Sequence, residues 1–467
     1  MTRSKRFRAA AFAFALAVAA SSCRGAGGRA GYAEAPDAAK PLPAAEKKES
    51  RGKNKSVDGV TFSKNGKVLV SYPTTKGDAN YLVPSTVEEI ADGAFSGNAS
   101  LKTLVLPYSV RKIGRAAFEN CVSLVSIEIP DGVVELGEAF MAGCASLREC
   151  RLPESLEEIP AGAFMGCTSL EAAVFTKGTR RIGQSAFEGC SSLERAEIPP
   201  EVAEIPMKAF YGCSSLKSVR LGSGISVLEP YSFAETGLVT VEIPAALTRI
   251  GECAFNDCHS LLAINVSPDN PSYRSDEGIL LSKNGSSLHA YPAGKPARNF
   301  SIPIFITRIE PSAFHGNRRL ESVEIPAGVK EISYDAFAEC AGLQSISISG
   351  SVRSIKAGAF SGCVSLRTAE LSEGLTEIGA LAFEDCRSLS GIWIPSTVRS
   401  VGSSAFKGCS SLSSMKFAAK EGWTHAPPPS FESRAVKPSE LSAENFARSG
   451  GKFFESEISR TAGGQSR

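Results

Sequence analysis

A chain of 467 residues with 43% hydrophobic content is long enough for one large or several medium domains, and its formal net charge of +2 excludes a global pull toward nucleic acid or an acidic membrane. Its 13 cysteines are spread along the whole sequence, which excludes a short disulfide-stapled scaffold. No stretch reaches the roughly 18 uninterrupted apolar residues that a membrane-spanning helix needs.

Residues 1–22 read as a targeting segment. Arg3, Lys5, Arg6 and Arg8 form a basic start, and Ala9 to Ala20 is apolar but too short to cross a bilayer. The small residues Ala20, Ser21 and Ser22 then precede Cys23. This arrangement resembles a bacterial lipoprotein signal with a relaxed lipobox. The resemblance implies a diacylglyceryl group on the Cys23 thiol, cleavage before it and acylation of the new amino terminus. Ordinary secretion, with cleavage near the same small residues, is the alternative. Residues 23–56 are rich in Ala, Gly, Pro, Lys and Glu and lack the large apolar residues of a core, so they read as a flexible tether.

Residues 57–94 read as an N-terminal hairpin cap. The stretch "GVTFSKNGKVLVSYP" at 59–73 recurs as "GILLSKNGSSLHAYP" at 278–292. Asn-Gly between apolar runs is a strong hairpin signal, which makes Asn65-Gly66 and Asn284-Gly285 turn residues. The first hairpin closes the start of a stacked core, and the second, within 276–313, interrupts it.

Between and after these hairpins runs a repeat with a usual step of 23 residues. Its 13 copies are marked by Phe95, Phe118, Phe140, Phe164, Phe187, Phe210, Phe233, Phe255, Phe314, Phe337, Phe360, Phe383 and Phe406. The unit is roughly A-F-x-G-C-x-S-L-x-x-I-x-I-P-x-x-V-x-x-I. Its L-x-x-I-x-I segment predicts a short strand, with Ile127 and Ile129 inward and Glu128 outward, ended by Pro130. The Val-x-x-Ile and Ala-Phe pairs cover the back of each coil. One coil cannot bury its apolar face alone, whereas stacked coils make one continuous core. The first array spans 95–275 and the second 314–417. Residues 418–467 read as a cap remnant and a disordered tail, in which Trp423 is the candidate cap.

The repeat resembles the BspA-like, or Treponema-type, leucine-rich repeat family over about Val57 to Phe417. The resemblance implies a curved solenoid of short parallel strands with loops and short helical turns, and a sheet on its concave side. It also implies a bacterial surface protein that binds and adheres but does not catalyse.

Cys121, Cys144, Cys167, Cys190, Cys213, Cys258, Cys340, Cys363, Cys386 and Cys409 share one slot of the unit, which holds Asn98, Thr236 and Asn317 elsewhere. A small buried side chain that meets backbone groups of the bend suits Cys, Asn and Thr alike. A metal ligand or nucleophile does not tolerate that exchange, and no C-x₂₋₄-C pair is present. Equivalent positions on stacked coils keep their Cβ atoms about 4.8 Å apart, outside the roughly 3.5–4.5 Å of a disulfide. The slot therefore reads as buried structural thiols, with disulfides among some of them as the alternative. Cys150 lies in an inward strand slot as a small core residue. The four histidines, His259, His289, His315 and His425, stand in no nucleophile, base or zinc pattern.

Function is then expected on the outward strand positions. Arg148, Arg151, Lys217 and Arg220 are basic spots among acidic ones, and Val239 with Leu262 forms a small apolar patch. Trp393 projects from the sheet beside Arg367, Glu370 and Lys416, and Trp and Arg are favoured contact residues. The expectation is a lipid-anchored binding protein of the bacterial envelope, surface-exposed or periplasmic. Its partners are protein ligands, of host matrix or bacterial surfaces, engaged through the concave face. It uses no cofactor, no metal and no nucleic acid, and touches the membrane only through the anchor. The alternative is an envelope scaffolding lipoprotein with no external partner.

Overall fold

The computed structural model describes residues 54–419 and the backbone of 423–426, 434–435 and 457–460. Cys23, the targeting segment and nearly all of the tether lie outside the described residues, as does the side chain of Trp423. The described chain falls into two compact units. The N-terminal unit comprises residues up to Lys283 with Pro292–Lys295, and the C-terminal unit comprises Asn284–Tyr291 and the chain from Pro296 onward.

Both units are parallel-strand solenoids of about fifteen turns in total. The L-x-x-I-x-I segments form three- and four-residue strands that hydrogen-bond to the next coil in register, as in Glu149↔Ser126, Cys150↔Ile127 and Arg151↔Glu128. Burial alternates along them. In Ser126–Glu128 only Ile127 is buried, and Ser345–Ile348 alternates from exposed Ser345 to buried Ile348.

The back of the coil differs from the expectation. The described residues hold no helix, so the short helical turns are corrected to β-turns and two-residue strands. The Val-x-x-Ile segment ends in an outward-inward pair such as Glu377–Ile378, and these pairs stack into a second parallel sheet, with Glu377↔Ser400 and Ile378↔Val401 in register. A helix is ruled out by two left-handed residues that flank the Ala-Phe slot of each repeat, including the one filled by Ser232-Phe233. Gly162 (φ 62°) and Gly166 (φ 72°) hold these positions in one coil, and Tyr231 (φ 59°) with Glu235 (φ 57°) in another. A left-handed residue every few positions cannot continue a right-handed helix.

Between the sheets lies the phenylalanine ladder. The rings of Phe314, Phe337, Phe360, Phe383 and Phe406 stack at 4.7–5.3 Å with interplanar angles of 4–14°. Each such pair is worth about 0.5–1.5 kcal/mol beyond area burial. Two rungs escaped the sequence pattern. Tyr72 stacks on Phe95 and Tyr291 on Phe314, both at 5.1 Å, so each array starts one coil before its first Ala-Phe pair. A third rung is corrected. The constant Cys spacing places Met141, not Phe140, opposite Phe164, and Phe140 fills the slot that alanine holds elsewhere. Accordingly Met141 N bonds to Ala163 O, and the Phe140 ring meets Phe164 edge-on at 70°.

Asn65-Gly66 and Asn284-Gly285 are turns, with Gly66 at φ 74° and Gly285 at φ 78°. At the C-terminal end, strand Glu457–Arg460 pairs antiparallel with Ser400–Val401 and with Trp423–Ala426, which in turn pairs with Arg434–Ala435. The stretch read as a disordered tail is corrected at these three strands.

Candidate binding surface

The cysteine slot is settled by geometry. The Sγ of Cys144 donates to Phe118 O at 3.1 Å, Cys213 to Phe187 O at 3.1 Å, and Cys363 to Phe337 O at 3.1 Å, each reaching the preceding coil. All ten ladder cysteines make this contact, with Met141 O in place of a phenylalanine carbonyl for Cys167. Asn98 and Asn317 do the related job with Oδ1, which accepts the amides of Leu101 and Leu320 at 2.9 Å. Burial pushes the thiols of Cys121, Cys167 and Cys213 up to about 12 and that of Cys258 up to about 11. A thiol held neutral is a poor nucleophile and a poor metal ligand. No disulfide joins the described cysteines, and Cys150 is buried in its strand as expected. Among the described residues no three His, Cys, Asp or Glu side chains gather as metal ligands.

What remains exposed on the strand sheets is set by the period of two. In the N-terminal unit, Arg148 and Arg151 are exposed on one coil, and Arg151 is ion-paired with Glu128 and with Asp131 at 3.8 Å. Lys217 and Arg220 are exposed three coils further on, and Arg220 lies in register with Glu197. These four residues therefore form two separate basic spots rather than one patch. Val239 and Leu262 are adjacent, because the Leu262 amide bonds to Val239 O at 2.8 Å, and they are 38% and 45% exposed.

In the C-terminal unit six strands, from Asn299–Ser301 to Ser414–Phe417, form one unbroken sheet. Trp393 lies directly opposite Lys416, and Glu370 and Trp393 each follow a residue of the paired Ala369 and Ile392. Glu370, Trp393 and Lys416 thus share one outward column on three consecutive strands. Trp393 is 43% exposed where its neighbours Ile392 and Ile394 are buried. Arg367 lies one column away, with its amide bonded to Gln344 O at 2.8 Å. Nearly half of a large indole held in water is a cost that packing does not require.

The sequence reading missed further exposed apolar residues. Leu82, Tyr108, Val134 and Ile304 project into solvent. The signal was present for Leu82, which shares its outward column with Val105.

Comparison with known proteins agrees with this architecture. The family model "BspA type Leucine rich repeat region (6 copies)" matches residues 79–194, 180–275 and 291–420. A leucine rich cell surface protein from Faecalibacterium prausnitzii A2-165 is 29% identical, with a TM-score of 0.61, over 79% of this chain and 95% of that one. A leucine-rich repeat protein from Bacteroides ovatus is 22% identical, with a TM-score of 0.44, over 79% of this chain and 98% of that one. Curated protein sequences return no match. Leucine-rich repeat solenoids serve in general as protein-binding scaffolds rather than catalysts. The family model covers well over half of the sequence, and the chain belongs to the BspA-type leucine-rich repeat family.

Proposed function

We propose that this chain is a lipid-anchored envelope protein that binds a protein partner through its outward strand columns, with adhesion to host or bacterial surface proteins as the outcome. The observation that carries the reading is Trp393, 43% exposed beside Lys416 on an unbroken sheet. A rigid strand face presents an aromatic anchor without a large ordering cost, which favours it as a contact centre. Glu370, Arg367 and Lys416 supply polar groups around it, and Val239 with Leu262 and the basic spots at Arg148, Arg151, Lys217 and Arg220 are secondary contacts. Cys23 carries the lipid, and the tether sets the distance from the membrane.

The test uses the soluble chain after Cys23 on arrays of purified matrix and bacterial surface proteins. At least one saturable partner is expected, weakened about tenfold or more by Trp393→Ala, which truncates a hot-spot residue. Equal binding by Trp393→Ala to every partner removes the strand-face reading. In cells, Cys23→Ser should move the protein from the membrane to the soluble fraction. Protease added to intact cells separates the two locations, and complete protection would replace adhesion with envelope scaffolding.

A further inference from the structure

The six-stranded sheet of the C-terminal unit is continuous, yet its outward side chains behave differently at its two ends. Over the first strands they bond to one another. Arg298 is ion-paired with Glu321, Ser301 Oγ donates to Glu324 Oε2 at 2.6 Å, and Ser322 Oγ donates to Asn299 Oδ1 at 2.7 Å. Around Trp393 they do not. The side chains of Arg367, Thr368, Glu370, Ser414 and Lys416 are exposed, and among the described residues none of them has a hydrogen-bond or ion-pair partner.

Two residues before Trp393, on the same outward face, stands Gly391. It is in register with Thr368 on one side and Ser414 on the other. A glycine weakens a strand interior and marks a bend, a bulge or a place of close approach. No bend needs it, because its φ lies outside the left-handed region, and no bulge is present, because the register runs unbroken into Ile392. A Cβ there would meet nothing nearer than Ser414 O at 3.4 Å, an ordinary contact, so packing does not demand glycine either. The missing side chain instead leaves a notch beside Trp393, floored by backbone and flanked by two hydroxyls. Two residues along a strand span about 6.6 Å and neighbouring strands lie about 4.8 Å apart, so the indole and the notch together offer the footprint of a single sugar ring.

We infer that the group read at Trp393 is a saccharide, carried on the surface of the protein partner; the inference rests on the reading of this column as a binding face. Trp393 is the one apolar residue among the outward positions of the last four strands. A contact made by protein side chains favours an apolar centre of several residues. A lone ring framed by free donors and acceptors suits a ligand in which C–H groups and hydroxyls alternate. One face of a pyranose lays its C–H groups on the negative face of the indole. Its hydroxyls donate to Glu370, accept from Arg367 and Lys416, and meet the hydroxyls of Thr368 and Ser414 across the notch.

The probe is a panel of neutral and sialylated oligosaccharides immobilised without protein and titrated with the full chain. Saturable binding to at least one of them is expected, competed by the free sugar with a Kd on the order of 1 mM. Gly391→Thr, which copies its neighbour Thr368 and fills the notch, should weaken binding about tenfold or more while unfolding at no lower denaturant concentration than the parent. Trp393→Phe should keep part of the binding that Trp393→Leu loses, because a flat ring rather than apolar bulk holds the sugar. Absence of saturation on every oligosaccharide, or equal binding by Gly391→Thr, overturns the inference. So does a protein partner that depends on Trp393 and binds unchanged after its glycans are removed, an outcome that leaves the protein-binding reading standing. Saccharide binding with no partner among the arrayed proteins has the opposite effect: it keeps the saccharide site and removes that reading.

Discussion

The C-terminal unit and the middle of the N-terminal unit are built from the same 23-residue phrase, yet only the former stacks without a gap. In the C-terminal unit the back sheet runs from Ser287–Ala290 through every coil to Ser400–Val401, and the strand sheet runs through all six coils. In the N-terminal unit the back sheet stops after Glu135–Leu136 and again after Arg181–Ile182, and the strand sheet has only an isolated bridge at Ala172↔Arg195. Two proline substitutions account for the first pair of breaks. Gly137 and Gly183 donate their amides to Ile113 O and Ile159 O at 2.8 Å, but Pro160 and Pro206 take that slot and have no N–H to give Leu136 O and Ile182 O. A cavity of about 570 Å³ opens at Pro160, beside Val134 and Leu136. The third break follows from volume. Cys150, Ala173 and Ala196 fill successive inward strand slots where Ile127 and Val219 stand elsewhere, and Phe175 packs edge-on against Phe187 at 5.4 Å. Small rungs and prolines loosen the ladder without changing the fold.

The largest effect expected from this contrast comes with alkali. Burial holds the thiols of Cys121 and Cys167 above their usual value of 9.0, up to about 12, and those of Cys144, Cys190, Cys363 and Cys386 well above it, so the neutral form is the folded form. Their contribution is complete below the usual value, and falls as pH climbs from about 9 toward 12. Alkylation mapped by mass spectrometry over that range should find Cys144, Cys167 and Cys190 reacting before Cys363 and Cys386. The reverse order would show that the interrupted unit is not the weaker one. Next in size is a pair of core truncations. Phe360→Ala, in the continuous ladder, should cost about 4 kcal/mol in denaturant unfolding, and Met141→Ala, beside the Pro160 break, about 2 kcal/mol, because a looser site collapses more readily. Cys363→Ala should cost about 1–2 kcal/mol, combining a lost bond to Phe337 O with a small cavity. The smallest change is Pro160→Gly, within about 1 kcal/mol of the parent. Its signature is a newly protected amide at residue 160 in hydrogen exchange, and a fast-exchanging amide would mean that proline is not what holds the sheet apart.

Much of the fold was legible because stacked coils force one residue class into one slot. Phe187, Cys190, Leu193 and Ile198 are all buried where the phrase puts them, and Glu194 and Glu197 are exposed where it leaves freedom. The Trp393 column followed from strand alternation alone. What escaped was encoded by exception. Tyr72 and Tyr291 begin the ladders without an Ala-Phe pair, and the Met141 shift shows only when cysteine spacing is weighed above phenylalanine spacing. The back sheet was hidden because two residues such as Glu377–Ile378 are too few to display a period. Asp58-Gly59 was a readable turn signal that the longer Asn65-Gly66 phrase overshadowed.

The two prolines also set how the molecule bears load. Wherever both sheets are intact, a pull along the stack is shared by two parallel rows of backbone bonds. At Pro160 and Pro206 the back row is missing, so the remaining contacts carry the whole force. Tension would therefore part the chain first between about residues 137 and 206, leaving the coils around Trp393 folded. Single-molecule extension should show that segment as the first and weakest step, and Pro160→Gly with Pro206→Gly should raise its force. A first rupture in the C-terminal unit would sink that expectation. The loosened coils would act as a mechanical fuse, absorbing strain before it reaches the Trp393 column.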